Sequence, residues 1–251
     1  MHINLKNKKV LVTGASHGIG FEIARAFHAE GCMVVLNARN GENLKKASME
    51  LEGSFAVEGD VTQPQIAQSV VSTAINYLNE IDILICNVGN SQSVAAGKET
   101  SIEWEQHFKC NFLSATNIIE ASHASLSITK GNIICISSIC GLEYIPGAPL
   151  TYSVSKTALN SYIHGIARPF GKEGIRINAI APGNIFFTDS VWEKKLSENN
   201  LAVEEMLEKE VALGCLGSLQ DISNLAIFLA SDNAKFITGS ICTVDGGQVR
   251  S

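Results

Sequence analysis

Apolar residues along the chain fall into two alternating patterns. Short, nearly unbroken runs recur at Val10–Val12, Cys32–Leu36, Ser54–Val57, Ile81–Cys86, Asn132–Ser137, Gly174–Ala181 and Ile237–Val244. A strand covered on both faces loses the polar alternation of a half-exposed one, so each run predicts a buried parallel strand. Between the runs, apolar residues recur every three or four positions and predict helices. The first opens at Ile19, with Ile23, Ala26 and Phe27 on its apolar face; the others cover about 41–51, 64–79, 101–128, 151–170 and 219–231. Strand and helix alternate without a break, which predicts an α/β fold: a single doubly wound domain over residues 1–251 with a mostly parallel, seven-stranded sheet and helices on both faces. Residues 188–213 depart from the rhythm, being rich in Glu and Lys, helical in pattern and inserted after a strand. With the turn before it, the segment at about 184–213 is a candidate lid over a substrate; a solvated helical bracket is the open alternative.

The first strand runs into Thr13-Gly14-Ala15-Ser16-His17-Gly18-Ile19-Gly20. Glycines let such a turn tighten and bring backbone close to a pyrophosphate, and the helix that follows offers free N–H groups and a positive dipole end. A turn that merely needs small residues is the plainer reading. Ligands of open α/β sheets bind beyond the carboxyl ends of the strands. Read in order, those ends carry Gly14–Gly20, Arg39, Asp60, Asn87–Gly89, Ser138, Tyr152–Lys156 and Pro182-Gly183. Tyr152 and Lys156 are one helical turn apart and share a face. A phenol ordinarily ionises near ~10, and a neighbouring ammonium is expected to lower that value toward the range of a general acid/base.

This set of motifs resembles the short-chain dehydrogenase/reductase family: Thr-Gly-x-x-x-Gly-x-Gly, an Asn-Asn-Ala-Gly element, a catalytic Ser, Tyr-x-x-x-Lys and a Pro-Gly turn. The likeness runs from Lys8 to Asp245-Gly246-Gly247, and within the family it looks most like the 3-oxoacyl-[acyl-carrier-protein] reductase branch. It implies a Rossmann-like fold and hydride transfer between a nicotinamide and a carbonyl or secondary alcohol. The substrate would be a small ketone, possibly carrier-bound, with a sugar, polyol or secondary-metabolite alcohol as the alternative. A catalytically idle cofactor-binding scaffold is the competing class, disfavoured because Ser138, Tyr152 and Lys156 are all present. The resemblance assigns Ser138 to the substrate oxygen, in preference to Ser137, because Ser138 is followed by two residues and then Gly141. Tyr152 becomes the proton carrier, Lys156 the holder of the nicotinamide ribose, and Asn111 a member of a water-borne proton relay. Cofactor contacts are expected from Gly14, Ser16, His17, Gly18, Ile19, Gly20, Arg39, Asp60, Val61, Asn87, Gly89, Tyr152, Lys156, Pro182, Gly183 and Ile185.

Two motifs depart from the family. Cys86 stands where the first Asn of Asn-Asn-Ala-Gly braces the sheet, so bracing must come from elsewhere. Phe187 holds the place of a Thr after the Pro-Gly turn, which puts the reach of Thr188 toward a nicotinamide in question. The cofactor is expected to be NADP(H), with NAD(H) possible. Asn37-Ala38-Arg39-Asn40 carries no carboxylate to hold two ribose hydroxyls, whereas the Arg39 guanidinium suits a 2′-phosphate and His17 adds a second, conditional cation. Family habit implies a homo-oligomer, a tetramer or a dimer, formed through the two long helices and the last strand. The sequence hint is apolar residues on a further face, Ile118, Ile119, Leu159 and Ile163.

The remaining composition narrows the partners. A net charge of −6 argues against nucleic acid. No run of 18 apolar residues predicts a membrane span, and the start, Met1-His2-Ile3-Asn4-Leu5-Lys6, lacks the apolar stretch of a leader. Seven cysteines without a C-x-x-C pair suggest reduced thiols, mostly in core strands, and a cytoplasmic protein. No metal is expected, since His17, His107, His123 and His164 lack ligand spacing.

Overall fold

The computed structural model describes residues 3–250; Met1 and His2, part of the start read for a leader, lie outside the described residues, as does Ser251. Seven strands, β1 (Lys9–Thr13), β2 (Met33–Ala38), β3 (Phe55–Glu58), β4 (Ile83–Cys86), β5 (Asn132–Ile136), β6 (Arg176–Pro182) and β7 (Ile241–Val244), form one sheet in the order β3-β2-β1-β4-β5-β6-β7. Every pairing is parallel. Strand order reverses between β1 and β4, and a crevice opens there beyond the carboxyl ends.

Alternation along each strand fills two apolar layers. Val10, Val12, Val34 and Leu36 face Ile23 and Phe27 of α1 (Gly18–Ala29) and Ile222 and Leu229 of α8 (Leu219–Ala230). Leu11, Val35, Leu84 and Ile133 face the other way, against α3 (Pro64–Leu78), α5 (Ser114–Thr129) and α6 (Leu150–Lys172). Each such side chain, fully buried, contributes about 1.5–3 kcal/mol. Ile118, Ile119, Leu159 and Ile163 lie in this second layer, at most 1% exposed. They are core residues and give no hint of a subunit interface. The cysteines are more varied than expected: Cys32, Cys86 and Cys135 are buried, Cys110, Cys140 and Cys242 half-buried, and Cys215 exposed, all of them free thiols.

Several boundaries differ from the sequence expectation. The helix expected over 101–128 is divided: α4 (Ser101–Phe108) passes through a π-helical turn, Lys109–Leu113, into α5. The strand expected from Ile81 starts at Ile83, because the Ile81 backbone is held by the side chains of Ser125 and Thr129 instead of a neighbouring strand. The strand expected from Ile237 begins at Ile241. Asn178 donates to the carbonyl of Ile237 and accepts from Ser240 N, and Gly239 sits at φ 74°, so 237–240 is a turn.

After α2 (Gly41–Met49) and the central elements, the inserted segment forms α7 (Val191–Glu210), bent at Asn199, which leaves helical geometry at φ −159° and ψ 87°. The Asn199 side chain then accepts from Ala202 N and restarts the helix. The segment packs through its own small cluster, Val203, Leu207 and Val211 with Trp192, Met206 and Leu216.

Candidate active site

At the strand-order reversal a cleft of about 870 Å³ runs from Arg39 at one end to Ser138 and Tyr152 at the other. Its floor is the glycine turn between β1 and α1. Gly14 adopts φ 62°, which favours glycine. Gly20 allows helix to meet strand: a Cβ there would strike the Gly14 carbonyl oxygen and the Asn87 amide. His17 is extended and no side chain caps the helix start. The first-turn N–H groups of α1 are therefore free to take an anion, and the turn fits a pyrophosphate. His17 itself contacts the Ser16 hydroxyl through Nδ1 at 3.1 Å.

The distal end is built from the tips of β2 and β3. Arg39 is exposed and lines the cleft, while Asn40 caps α2 by accepting from Asn43 N at 3.1 Å. Asp60 accepts from Thr62 N at 3.0 Å, and Val61 is buried with its carbonyl holding the Asn117 amide at 3.1 Å. Both line the cleft beside Gly59.

The bracing left open by Cys86 is supplied one residue later. The Asn87 amide donates to the carbonyls of Thr13 at 3.2 Å and Gly14 at 3.0 Å, and Asn87 N donates to the Thr13 hydroxyl at 3.1 Å. That hydroxyl donates in turn to the Ile85 carbonyl at 3.1 Å. Asn87 thus fixes the glycine turn while still lining the cleft. Cys86 pairs instead with Cys135 on β5, thiol against thiol, and burial raises its pKa.

The proximal end carries Ser138, Tyr152 and Lys156. Ser137 is turned inward, donating to Asn160 Oδ1 at 2.6 Å. Ser138 faces the cleft, where its hydroxyl accepts from Cys140 N at 3.2 Å and interacts with the Tyr152 phenol. Lys156 is 3% exposed; its Nζ donates to the Ile136 carbonyl at 2.8 Å and lies 5.8 Å from the centre of the Tyr152 ring. Burial depresses its pKa to about 8, a shift that the surrounding thiols of Cys110, Cys135, Cys140 and Cys86 oppose.

Here the structure corrects the expectation for Tyr152. Its pKa is pushed up to about 12, because burial outweighs the hydrogen bond with Ser138 that pulls it down, and the Lys156 ammonium is not among the causes.

Asn111 sits in the π turn behind the cleft wall. Its Oδ1 accepts from Asn90 N at 2.8 Å and its Nδ2 donates to Asn90 O at 3.0 Å, which clamps the loop after β4. Gly89 lies between it and the lysine: a Cβ at Gly89 would meet Asn111 Oδ1 at 3.0 Å and Lys156 Nζ at 3.3 Å.

On the opposite wall, Gly183 N donates to Val244 O at 2.9 Å, and Ile185, 5% exposed, bridges to Gly217. Pro182, Gly183 and Ile185 line the cleft. Thr188 is exposed and does not line it; Phe187, Ser190, Val191 and Trp192 do. Phe187 covers Gly18, where a Cβ would meet its ring at 2.9 Å. The sequence reading missed Ser190 and Trp192, and also Gln106 and Cys110 on the far side. The Ser190 position could have been found: Ser-x-x-Glu before a helical pattern marks a helix start, and Ser190 accepts from Glu193 N at 3.1 Å.

Comparison with known proteins adds names to this geometry. A family model described as enoyl-(acyl carrier protein) reductase matches residues 14–248. A 3-oxoacyl-[acyl-carrier-protein] reductase of Chlamydia trachomatis is 33% identical, with 97% of this chain and 98% of that protein covered. An L-fucose dehydrogenase of Mus musculus is also 33% identical, over 96% of this chain and 88% of that protein. Among solved structures, an L-sorbose reductase from Gluconobacter frateurii, complexed with NADPH and L-sorbose, superposes with a TM-score of 0.93 at 27% identity, covering 100% of both chains.

Proposed function

The chain belongs to the short-chain dehydrogenase/reductase family, and we propose that it works as an NADP(H)-preferring ketone reductase whose proton chemistry is carried by Ser138, Tyr152 and Lys156. It is an NAD(P)-dependent oxidoreductase acting between a carbonyl and a secondary alcohol. The single observation behind the site assignment is the Tyr152 phenol beside the Ser138 hydroxyl at the cleft's inner end, with buried Lys156 behind them.

Bound in the cleft, the nicotinamide supplies the hydride. The chain's residues do the rest. First-turn N–H groups of α1, with Gly14, Ser16, Gly18, Ile19 and Gly20 around them, hold the pyrophosphate. Asp60, Val61, Asn87 and Gly89 line the adenosine end, and Pro182, Gly183 and Ile185 the nicotinamide end. Ser138 donates to the substrate oxygen and Tyr152 gives that oxygen its proton as charge develops there. A phenol pushed up to about 12 is correctly protonated to act as the acid in the reductive direction. Lys156, brought down to about 8, passes its proton back to the phenol and is itself reprotonated from solvent. Asn111 holds the wall of the relay.

Arg39 supports NADP(H). It stands exposed at the distal end, and among the described residues no salt bridge engages it, leaving the guanidinium for a 2′-phosphate. His17 lines the same cleft in the glycine turn. The substrate reading is a 3-oxoacyl thioester, as in the bacterial relative. A hydroxylated ketone such as a ketose is the second reading, favoured by the polar lining of Asn90, Ser91 and Ser190. The domain would span the whole chain, with 184–213 closing over the substrate through Trp192 and Val191. No helix among the described residues is long and apolar enough to cross a membrane, in keeping with a cytoplasmic enzyme. A homo-oligomer, tetramer or dimer, would cover exposed apolar residues such as Leu113, Ile128 and Phe236; light scattering at monomer mass would count against it.

The test is consumption of reduced nicotinamide with a panel of 3-oxoacyl thioesters, ketoses and simple ketones. Turnover with at least one ketone class, faster with NADPH than NADH, is the expected result. A protein that binds NADPH and reduces none of them would leave the scaffold reading standing.

A further inference from the structure

His107 is 5% exposed at the end of α4 and takes no part in the chemistry above, yet it stands directly behind a group that does. The orientation of the Asn111 carboxamide is fixed independently, because the atom accepting from Asn90 N at 2.8 Å must be its oxygen. Its nitrogen gives one hydrogen to the carbonyl of Asn90 at 3.0 Å and shares the other between the His107 carbonyl at 3.2 Å and the His107 ring atom Nδ1 at 3.4 Å. An amide nitrogen only donates, so Nδ1 is the acceptor, and the neutral ring carries its proton on Nε2. The ring also lines a second cavity of about 350 Å³, shared with Gln92, Ser93 and Glu103, which meets the main cleft along Asn90, Gln106 and Cys110. The π turn places Asn111 so that its oxygen and the Lys156 Nζ approach Gly89 from two sides, 3.0 and 3.3 Å from where a Cβ would stand.

We propose that His107 is a positioning residue for the reaction. Its Nδ1 and its backbone carbonyl together receive the inner edge of the Asn111 carboxamide, whose other edge clamps Asn90 and with it the Gly89 turn against Lys156. The inference rests on Tyr152 and Lys156 being the proton-handling pair. A buried histidine that only fills space makes the opposite prediction about substitutions. Asparagine sets an acceptor oxygen near the place of Nδ1 but is smaller than the imidazole ring. Leucine fills the space and removes the acceptor.

The test compares His107→Asn and His107→Leu with wild type in kcat and KM for a ketone that wild type reduces, in NADPH affinity by nicotinamide fluorescence, and in thermal midpoint. The leucine variant should lose about tenfold in kcat, with NADPH affinity within about twofold and an unchanged or raised midpoint. The asparagine variant should stay within about threefold of wild type in kcat even where it melts lower. A leucine variant at wild-type kcat, or an asparagine variant as slow as leucine, overturns the proposal. The imidazole ¹⁵N spectrum, assigned by difference against His107→Asn, reads the contact without any substrate: unprotonated Nδ1 with protonated Nε2 supports it, and the reverse tautomer overturns it. Absence of turnover in wild type would strike the reading of the site instead, and the tautomer would still decide the role of His107.

Discussion

The two ends of the cleft are made by different means. At the distal end and floor, from Gly14 to Gly20 and across to Arg39, the working parts are backbone N–H groups and one exposed cation; Gly14 and Gly20 are there for what they lack. At the proximal end, the parts are side chains, with Ser138 and Lys156 buried and Tyr152 half-buried, a phenol pushed up to about 12 and an ammonium brought down to about 8. On the proposed reading the floor is an anion cradle that needs shape and free N–H groups. The inner end is then a proton device that needs desolvation, and desolvation costs stability. Binding and chemistry should therefore fail separately when either end is damaged.

The largest effect should come from the inner end. Tyr152→Phe removes the transferable proton and should lower kcat by about 10²- to 10⁴-fold, measured under saturating NADPH and ketone.

Next comes the cost of burying Lys156. Its folded value is depressed from 10.5 to about 8, so the unfolded chain binds more protons through that window and folding stability from this group rises with pH between them. Below about 8 the penalty is complete, on the order of 3 kcal/mol from the shift. Tyr152, raised from 10.0 to about 12, acts in the opposite sense, and stability from it is lost as pH rises above 10. Lys156→Met should lose the rise between about 8 and 10 in denaturant melts while abolishing turnover. A parallel pH course in the two proteins would show that the ammonium is not desolvated.

At the floor, Gly20→Ala forces a methyl into the Gly14 carbonyl and should cost about 1–3 kcal/mol together with NADPH affinity. The smallest effect belongs to the most exposed group. Arg39→Asp should shift the ratio of kcat/KM for NADPH over NADH toward NADH by about tenfold, roughly 1.4 kcal/mol, with kcat nearly unchanged. Equal use of both cofactors by wild type would remove Arg39 from the account.

How much was legible follows the same division. The cradle was readable because its requirements are local: an apolar run, then glycines at set intervals, then a helical face at Ile19, Ile23 and Phe27. The inner end was readable as residue types and spacing, and not as electrostatics. Nothing in Tyr-x-x-x-Lys reveals that Ile136 O holds the lysine or that burial outweighs the Ser138 hydrogen bond at the phenol. The π turn at Lys109–Leu113 was invisible because one extra residue in a repeat leaves the apolar pattern of a long helix intact. Ile118, Ile119, Leu159 and Ile163 misled for a tertiary reason, since α5 and α6 pack on the sheet and within one shared layer and so bury more than one face each.

The claim that one end binds and the other reacts is tested most directly by the dissociation constant of NADPH for Tyr152→Phe, measured by nicotinamide fluorescence beside its kcat. The account predicts affinity within about twofold of wild type while turnover falls by at least about 10²-fold. Affinity lost in proportion to turnover, or turnover retained with affinity intact, would contradict it.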